Sequence, residues 1–224
     1  MLLASLLDDP FDPPGYERIG GGHVFVFDLG RHLVRRGHDV TYLVRRSAPD
    51  RSPREQVGLR CRVLRVDAGP LRDVDPATLA PFVEELADAS IAARGDAPVD
   101  VVHSHYWLSG SVARGLVARR PARHVHSVLS LGRSKAAAGE LPHPSDQVRD
   151  TTEVEVFNRA DVVIVTCPSE RDDLRRLYPE VRSDHVHVIP YGVDPDVFFP
   201  RPAPPHSVVH RAAARFPKES DHVP

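Results

Sequence analysis

Two polar, glycine-containing clusters have the spacing of a ligand site. Ile19-Gly20-Gly21-Gly22-His23 precedes a stretch of helical period, and Val102-His103-Ser104-His105-Tyr106-Trp107-Leu108-Ser109-Gly110 closes a strand-like run. Glycines before a helix let a ligand approach the backbone, and the free amides of the helix start favour a phosphate or other anion. On residue types alone the first cluster is either an anion loop or a flexible turn. It is not the dinucleotide fingerprint: no glycine follows at the third position, and no acidic residue ends the second strand at Val44-Arg45. That disfavours a nucleotide-dependent oxidoreductase.

In the second cluster, His103 and His105 are assigned to opposite faces of their strand, which sets aside a shared metal; one packs inside and the other lines the crevice. Tyr106 and Trp107 are amphipathic aromatics suited to stacking on, or hydrogen bonding to, a sugar. Arg149 and Glu153 stand i, i+4 on an expected helix, an ordinary surface pair by spacing alone. Lys135 is by default a solvated cation, although Lys135 and Lys218 are the only lysines among 29 basic residues.

These groups need elements to position them. Residues 1–8 read as a buried strand, 22–36 as a helix with Phe25, Val26, Leu29, Leu33 and Val34 inward and Gly37 as its left-handed cap, and 39–44 as a second strand. A strand nearer the sheet edge is expected over 59–66 and a helix over 76–94, with Pro76 in its first turn. Then come strand 99–104, helix 109–120, strand 124–130, helix 145–160, strand 161–166, helix 168–178 and strand 185–189, with loops at 9–22 and 131–145. About seven strands alternating with helices describe an α/β fold, a single Rossmann-like, doubly wound and mostly parallel sheet. Residues 1–200 form that domain. The tail 201–224, with five prolines, reads as a linker or frayed end with a short helix at 207–216.

The formal net charge of -2 over 224 residues offers no footprint for nucleic acid, and the longest apolar runs are too short to span a bilayer. No secretory signal is read before the first strand. Cys61 and Cys167, the only cysteines, are expected as buried reduced thiols, which suits the cytoplasm.

Taken together, these segments resemble the N-terminal, acceptor-side domain of a family 4 retaining glycosyltransferase, the group that includes sucrose-phosphate synthase and the mycothiol-pathway glycosyltransferase. The resemblance covers about residues 17–200. It rests on Gly20-Gly21-Gly22 with Arg35-Arg36-Gly37-His38-Asp39-Val40-Thr41, the 103–110 cluster, Ser130-Leu131-Gly132-Arg133-Ser134-Lys135, Arg149 with Glu153, Arg159-Ala160-Asp161-Val162-Val163-Ile164, and Ile189-Pro190-Tyr191-Gly192-Val193-Asp194.

The resemblance implies one half of a GT-B fold, two facing Rossmann-like domains with acceptor on the first and sugar nucleotide on the second. Substrate-binding residues would be Gly21, Gly22, His23, His105, Tyr106, Ser130, Arg133, Lys135, Arg149 and Glu153. Gly21 and Gly22 would lie near donor phosphates or the transferred sugar, Tyr106 near the acceptor, and Lys135 with Arg149 on an acceptor phosphate. A hexosyl group would pass with retention to a hydroxyl of a sugar, cyclitol or sugar-phosphate acceptor. The nucleotide sugar is a co-substrate, and neither cofactor nor metal is implied.

Two departures stand out. Where similar proteins read Gly-His-Ser-Leu-Gly-Arg, with the histidine beside the reacting sugar, this chain has Leu129, which cannot hydrogen-bond. His126 is the nearest replacement, but three residues along a strand turns it to the other face. The donor domain expected after Asp194 is missing from these residues, since the tail is shorter than the ~30 residues of one βαβ unit. The expectation is therefore a domain inactive alone, completed by a partner chain carrying the donor domain, or else a non-catalytic binding module.

Overall fold

The computed structural model describes residues 1–6, 9–11, 21–193 and 195. Met1–Tyr191 forms one compact unit, and Gly192–Pro224 is a second of which only three residues are described. Residues 7–8, Ile19 and Gly20, the tail and its expected helix at 207–216 lie outside the described residues.

The unit is an eight-stranded sheet with helices on both faces. Its elements are β1 (Leu2–Ala4), α1 (Gly21–Arg35), β2 (Val40–Arg45), β3 (Arg54–Gly58), β4 (Cys61–Val66), α2 (Pro76–Leu79), α3 (Val83–Arg94), β5 (Val101–His105), α4 (Tyr106–Arg119), β6 (Arg123–Ser127), α5 (Gly132–Ala137), α6 (Asp146–Arg159), β7 (Val162–Val165), α7 (Pro168–Leu177) and β8 (Val186–Val188). The strand order is β3-β4-β2-β1-β5-β6-β7-β8, parallel throughout except for the antiparallel pair β3 and β4. The chain winds outward from β1 through β2 to β4, then returns to place β5 on the other side of β1. That reversal opens a crevice at the carboxyl ends of β1 and β5, where open α/β sheets hold their ligands.

Burial explains why the sheet is legible as apolar runs. Every residue of β2 is buried. One core joins Leu2, Leu43, Leu64, Val102, Val112 and Leu116, and another joins Val156, Phe157, Val163, Val165 and Leu174. Helix α1 lies on a third, formed by Leu3, Val26, Val40 and Tyr42, with Phe25, Leu29, Leu33 and Val34 partly buried against it. Gly37 has the expected positive φ, 90°.

Five expectations are corrected. There are eight strands, because the polar stretch Arg54–Gly58 is an exposed antiparallel edge strand whose charges discourage further pairing. Leu59, placed in a strand by its apolar character, is instead 98% exposed between β3 and β4. The helix expected over 76–94 is broken, with a single 3-10 turn at Ala80–Phe82, where Pro81 has no N–H to continue the ladder. A short helix, α5, occupies part of the loop expected at 131–145. Helix α4 begins at Tyr106, three residues earlier than expected, directly from the strand.

Gly30 shows how closely α1 lies on the sheet. A Cβ there would overlap the Tyr42 hydroxyl, which itself donates to the Phe27 carbonyl at 2.8 Å. Gly30→Ala is expected to destabilise the fold by about 1–3 kcal/mol through overpacking, read as a lower denaturant midpoint. An unchanged midpoint would show that α1 can lift freely.

Candidate functional site

The carboxyl ends of β1, β5 and β6 supply the candidate site, together with the starts of α1 and α4 and one face of α6. Leu6 leaves β1 and its N–H donates to the Ser109 Oγ of α4 at 3.1 Å, fastening the two sides of the crevice. The residues that follow β5 and β6 carry the only positive φ values among described non-glycine residues, 72° at Tyr106 and 60° at Leu129. Such backbone costs of order 1 kcal/mol or more and persists where surrounding structure imposes it, often at functional sites. Both residues lie beyond the carboxyl ends of neighbouring parallel strands.

Arg149 organises the polar wall. It projects from α6, 5% exposed, and its Nε donates to Glu153 at 2.6 Å while Nη2 donates to the Ser130 carbonyl at 2.8 Å and Oγ at 3.1 Å. Its Nη1 lies 3.5 Å from the Tyr106 Oη, and the guanidinium carbon stands 5.1 Å from that ring's centre. Glu153, 1% exposed, also accepts from the Gly132 N–H and from the Tyr178 hydroxyl. Burial opposes the charge on Arg149, but Glu153 and the two tyrosines outweigh it and hold the guanidinium protonated. The i, i+4 pair is thus interior rather than a surface pair. The approach at Gly132 is close, since a Cβ would meet the Arg149 Nε at 3.0 Å and the Glu153 Oε2 at 3.1 Å.

Gly22 lies directly against Leu129: a Cβ on the glycine would stand 3.1 Å from the leucine Cδ1. His23 is 8% exposed and neither of its ring nitrogens has a hydrogen-bond partner. Gly21 is exposed, with open space where a side chain would be. Phe25 packs edge-on to His105 at 5.7 Å and lies 4.5 Å from Tyr191.

The paired histidines need correction. Residues i and i+2 of a strand share a face, and the rings of His103 and His105 stack at 4.3 Å. Both are buried; the His105 Nδ1–H donates to the Ala4 carbonyl at 3.3 Å, and the His103 Nε2 lies 2.9 Å from the Ser127 Oγ. On the opposite face, Ser104 Oγ is 2.8 Å from both the His124 Nε2 and the His126 Nδ1. His126 is therefore committed beneath the sheet surface and does not replace the missing polar group at Leu129. Burial lowers the pKa of all four rings, to about 4 for His105 and His124.

Two expected ligands sit apart from the Arg149 cluster. Arg133 is held by Asp150 at 2.5 Å, Glu180 at 2.6 Å and the Leu177 carbonyl at 2.7 Å, stacked 4.4 Å from the Tyr178 ring; Asp150 and then Glu180 raise its pKa. It fastens α5 to α6 and α7. Lys135 is half exposed and its ammonium pairs with Glu140 at 3.5 Å. Tyr178 was not among the expected residues: nothing local marks the residue that caps α7, and its contact with Glu153 spans 25 positions.

The cysteines also differ from expectation. Both are free and only partly buried. Burial raises the Cys61 pKa, whereas the Ser169 hydroxyl beside Cys167 lowers that one. Among the described residues no three His, Cys, Asp or Glu side chains group as a metal site, and no helix is long and apolar enough to cross a membrane. An open cleft of about 1070 Å³ lies at the opposite, amino-terminal rim of the strands. Of its four cations, Arg119, Arg120 and Arg123 are paired with Glu84, Asp96 and Asp161.

Comparison with known proteins gives the chain's relatives. The profile of the glycosyl transferase 4-like domain matches residues 20–192. A D-inositol 3-phosphate glycosyltransferase of Xylanimonas cellulosilytica is 35% identical over 217 residues, covering 94% of this chain and 51% of the relative. Its counterpart in Kineococcus radiotolerans is 34% identical, covering 95% and 48%. Sucrose-phosphate synthase from Thermosynechococcus elongatus superposes with a TM-score of 0.80 at 28% identity, over 96% of this chain and 52% of that one. The chain spans about half the length of the curated relatives it matches.

Proposed function

The chain belongs to the glycosyl transferase 4-like domain family, and from that premise we propose that its crevice is the acceptor half of a retaining, sugar-nucleotide-dependent hexosyltransferase. The observation that carries this reading is the convergence of Tyr106, Ser130 and Arg149 on one wall, next to Leu129, against which the glycine start of α1 lies. A guanidinium fixed by Glu153 has little freedom left to lose when a ligand arrives, and a tyrosine beside it offers a hydroxyl and a ring face to a sugar. The acceptor is a hydroxylated ring, a sugar or cyclitol with or without phosphate. D-inositol 3-phosphate, from the names of the relatives, is the first compound to test.

On this reading the nucleotide sugar is held chiefly by a second domain, in the same polypeptide or another, and no metal takes part. Transition-state stabilisation at the departing diphosphate then comes from groups outside residues 1–191. The purified chain is expected to bind acceptor in a cytoplasmic setting but to transfer no sugar from a panel of nucleotide sugars. Robust transfer by residues 1–224 alone would contradict the divided site. Tyr106→Phe is expected to weaken D-inositol 3-phosphate binding about fivefold in calorimetry, the worth of one hydrogen bond.

One observation favours a second reading, a non-catalytic binding module. Leu129 presents an apolar methyl to Gly22 where the family resemblance implies a histidine beside the reacting sugar. If the complete protein, with its donor domain supplied, still transfers nothing while binding acceptor, the second reading holds.

A further inference from the structure

The open cleft at the amino-terminal rim is lined by four arginines and three aspartates, and its charges do not cancel evenly. Arg123 is paired with Asp161 at 2.8 Å, and that carboxylate also accepts from the His124 N–H, so it belongs to the start of β6. Arg119 is paired outside the lining residues, with Glu84 at 2.8 Å and Asp88 at 3.5 Å on α3. Asp100 acts on the Met1 ammonium. Arg94 and Arg120 are left with Asp96, which pairs with Arg120 at 2.8 Å and is the only carboxylate among the described residues whose charge favours the Arg94 cation.

Helices α3 and α4 both end at this rim, and the partial negative charge of their last carbonyls favours arginines there whatever their use. The dipole does not account for two guanidiniums sharing one carboxylate. Burial first, and then the neighbouring Arg120 charge, lower the Arg94 pKa. Among the described residues no hydrogen bond or ion pair holds the Arg94 guanidinium, and its Nε is buried without a partner. An oxyanion relieves such a pair, because the planar fork of each guanidinium takes oxygens through short, charge-assisted hydrogen bonds. Asp96 is a weak competitor: its side chain is 95% exposed, and exposed ion pairs contribute little to stability. At about 1070 Å³ the cleft has room for more than one phosphate group, and Arg123, three residues after Arg120, lines the same space. Among the described residues no aromatic side chain lines it, so nothing there would stack on a nucleobase.

We propose that this rim carries a second anion site, in which Arg94 and Arg120 hold one phosphate of a pyrophosphate group and Arg123 holds the other. The ligand class is a compound with two linked phosphates, recognised through them and not through a base. The site lies at the amino ends of β5 and β6, whose carboxyl ends border the acceptor crevice, and it does not depend on the acceptor reading.

The test is calorimetry on the full chain with inorganic pyrophosphate and with inorganic phosphate, at fixed ionic strength, comparing the parent with Arg94→Met and Asp96→Asn. The parent is expected to bind pyrophosphate saturably and about tenfold more tightly than phosphate. Arg94→Met should weaken pyrophosphate binding about tenfold. It should shift the melting temperature by less than about 2 °C, since this arginine has no partner to lose. Asp96→Asn, which frees Arg120, should strengthen binding about threefold. No saturable pyrophosphate binding by the folded chain overturns the proposal. So do equal affinities for pyrophosphate and phosphate, an Arg94→Met affinity equal to the parent's, or Asp96→Asn binding no tighter than the parent.

Discussion

Glu153→Ala is expected to cost the fold about 3–5 kcal/mol, the usual consequence of leaving one member of a buried ion pair without its partner. Glu153 accepts from Arg149, the Gly132 N–H and the Tyr178 hydroxyl at once, so its removal strands three donors, one of them charged. For a domain of this size the melting temperature should fall by roughly 6–20 °C. Arg149→Met added to Glu153→Ala removes the stranded charge and should recover part of the loss, although Gly132 and Tyr178 remain unsatisfied. Acceptor binding should be lost in both variants. A Glu153→Ala protein within about 1 kcal/mol of the parent would show that water reaches the guanidinium, and the site would lose the rigidity ascribed to it.

Acid should destabilise this domain before its carboxylates titrate. His105 and His124 have pKa values near 4 in the fold, below the ordinary 6.5, and His103 and His126 are lowered as well, all chiefly by burial. A histidine whose folded pKa is depressed contributes stability that is fully present above the unfolded value and is lost as pH falls towards the folded one. The window therefore opens near pH 6.5 and extends down to about pH 4, where the unfolded chain binds protons that the fold refuses. His105 and His124 each account for on the order of 3 kcal/mol across that window. Denaturant midpoints measured from pH 8 to pH 4.5 should drop steeply below pH 6.5, and His124→Gln should flatten the slope by about one proton. Asp161 attracts a proton to His124 but does not reverse the effect of burial. A flat profile over this range would mean that the rings are hydrated.

The alternation of apolar runs and helical periods carried the α/β fold, because a parallel sheet covered on both faces must be apolar along whole strands. Strand β3 escaped for the same reason: Arg54, Glu55 and Gln56 lie on an exposed edge and have no apolar signal to show. The spacing of Arg149 and Glu153 was visible, but their burial depends on α5 and Tyr178 closing over them, which no local window contains. With His103 and His105 the sequence did hold the answer, since a period of two puts both on one face. The glycine turn, Tyr106 and Ser130 were marked by the family resemblance, whereas the role of Arg133 as a fastener follows only from its two carboxylates on different elements.

The central claim is that one hollow at the carboxyl ends of β1, β5 and β6 receives the acceptor. Amide and arginine Nε resonances of the full chain, followed while D-inositol 3-phosphate is added, test it most directly. The account predicts saturable shifts concentrated at Gly21, Gly22, His23, Tyr106, Ser130 and the Arg149 Nε–H. Shifts centred instead on Arg94, Arg119 and Arg123 at the far rim of the sheet, or none at all, would contradict it.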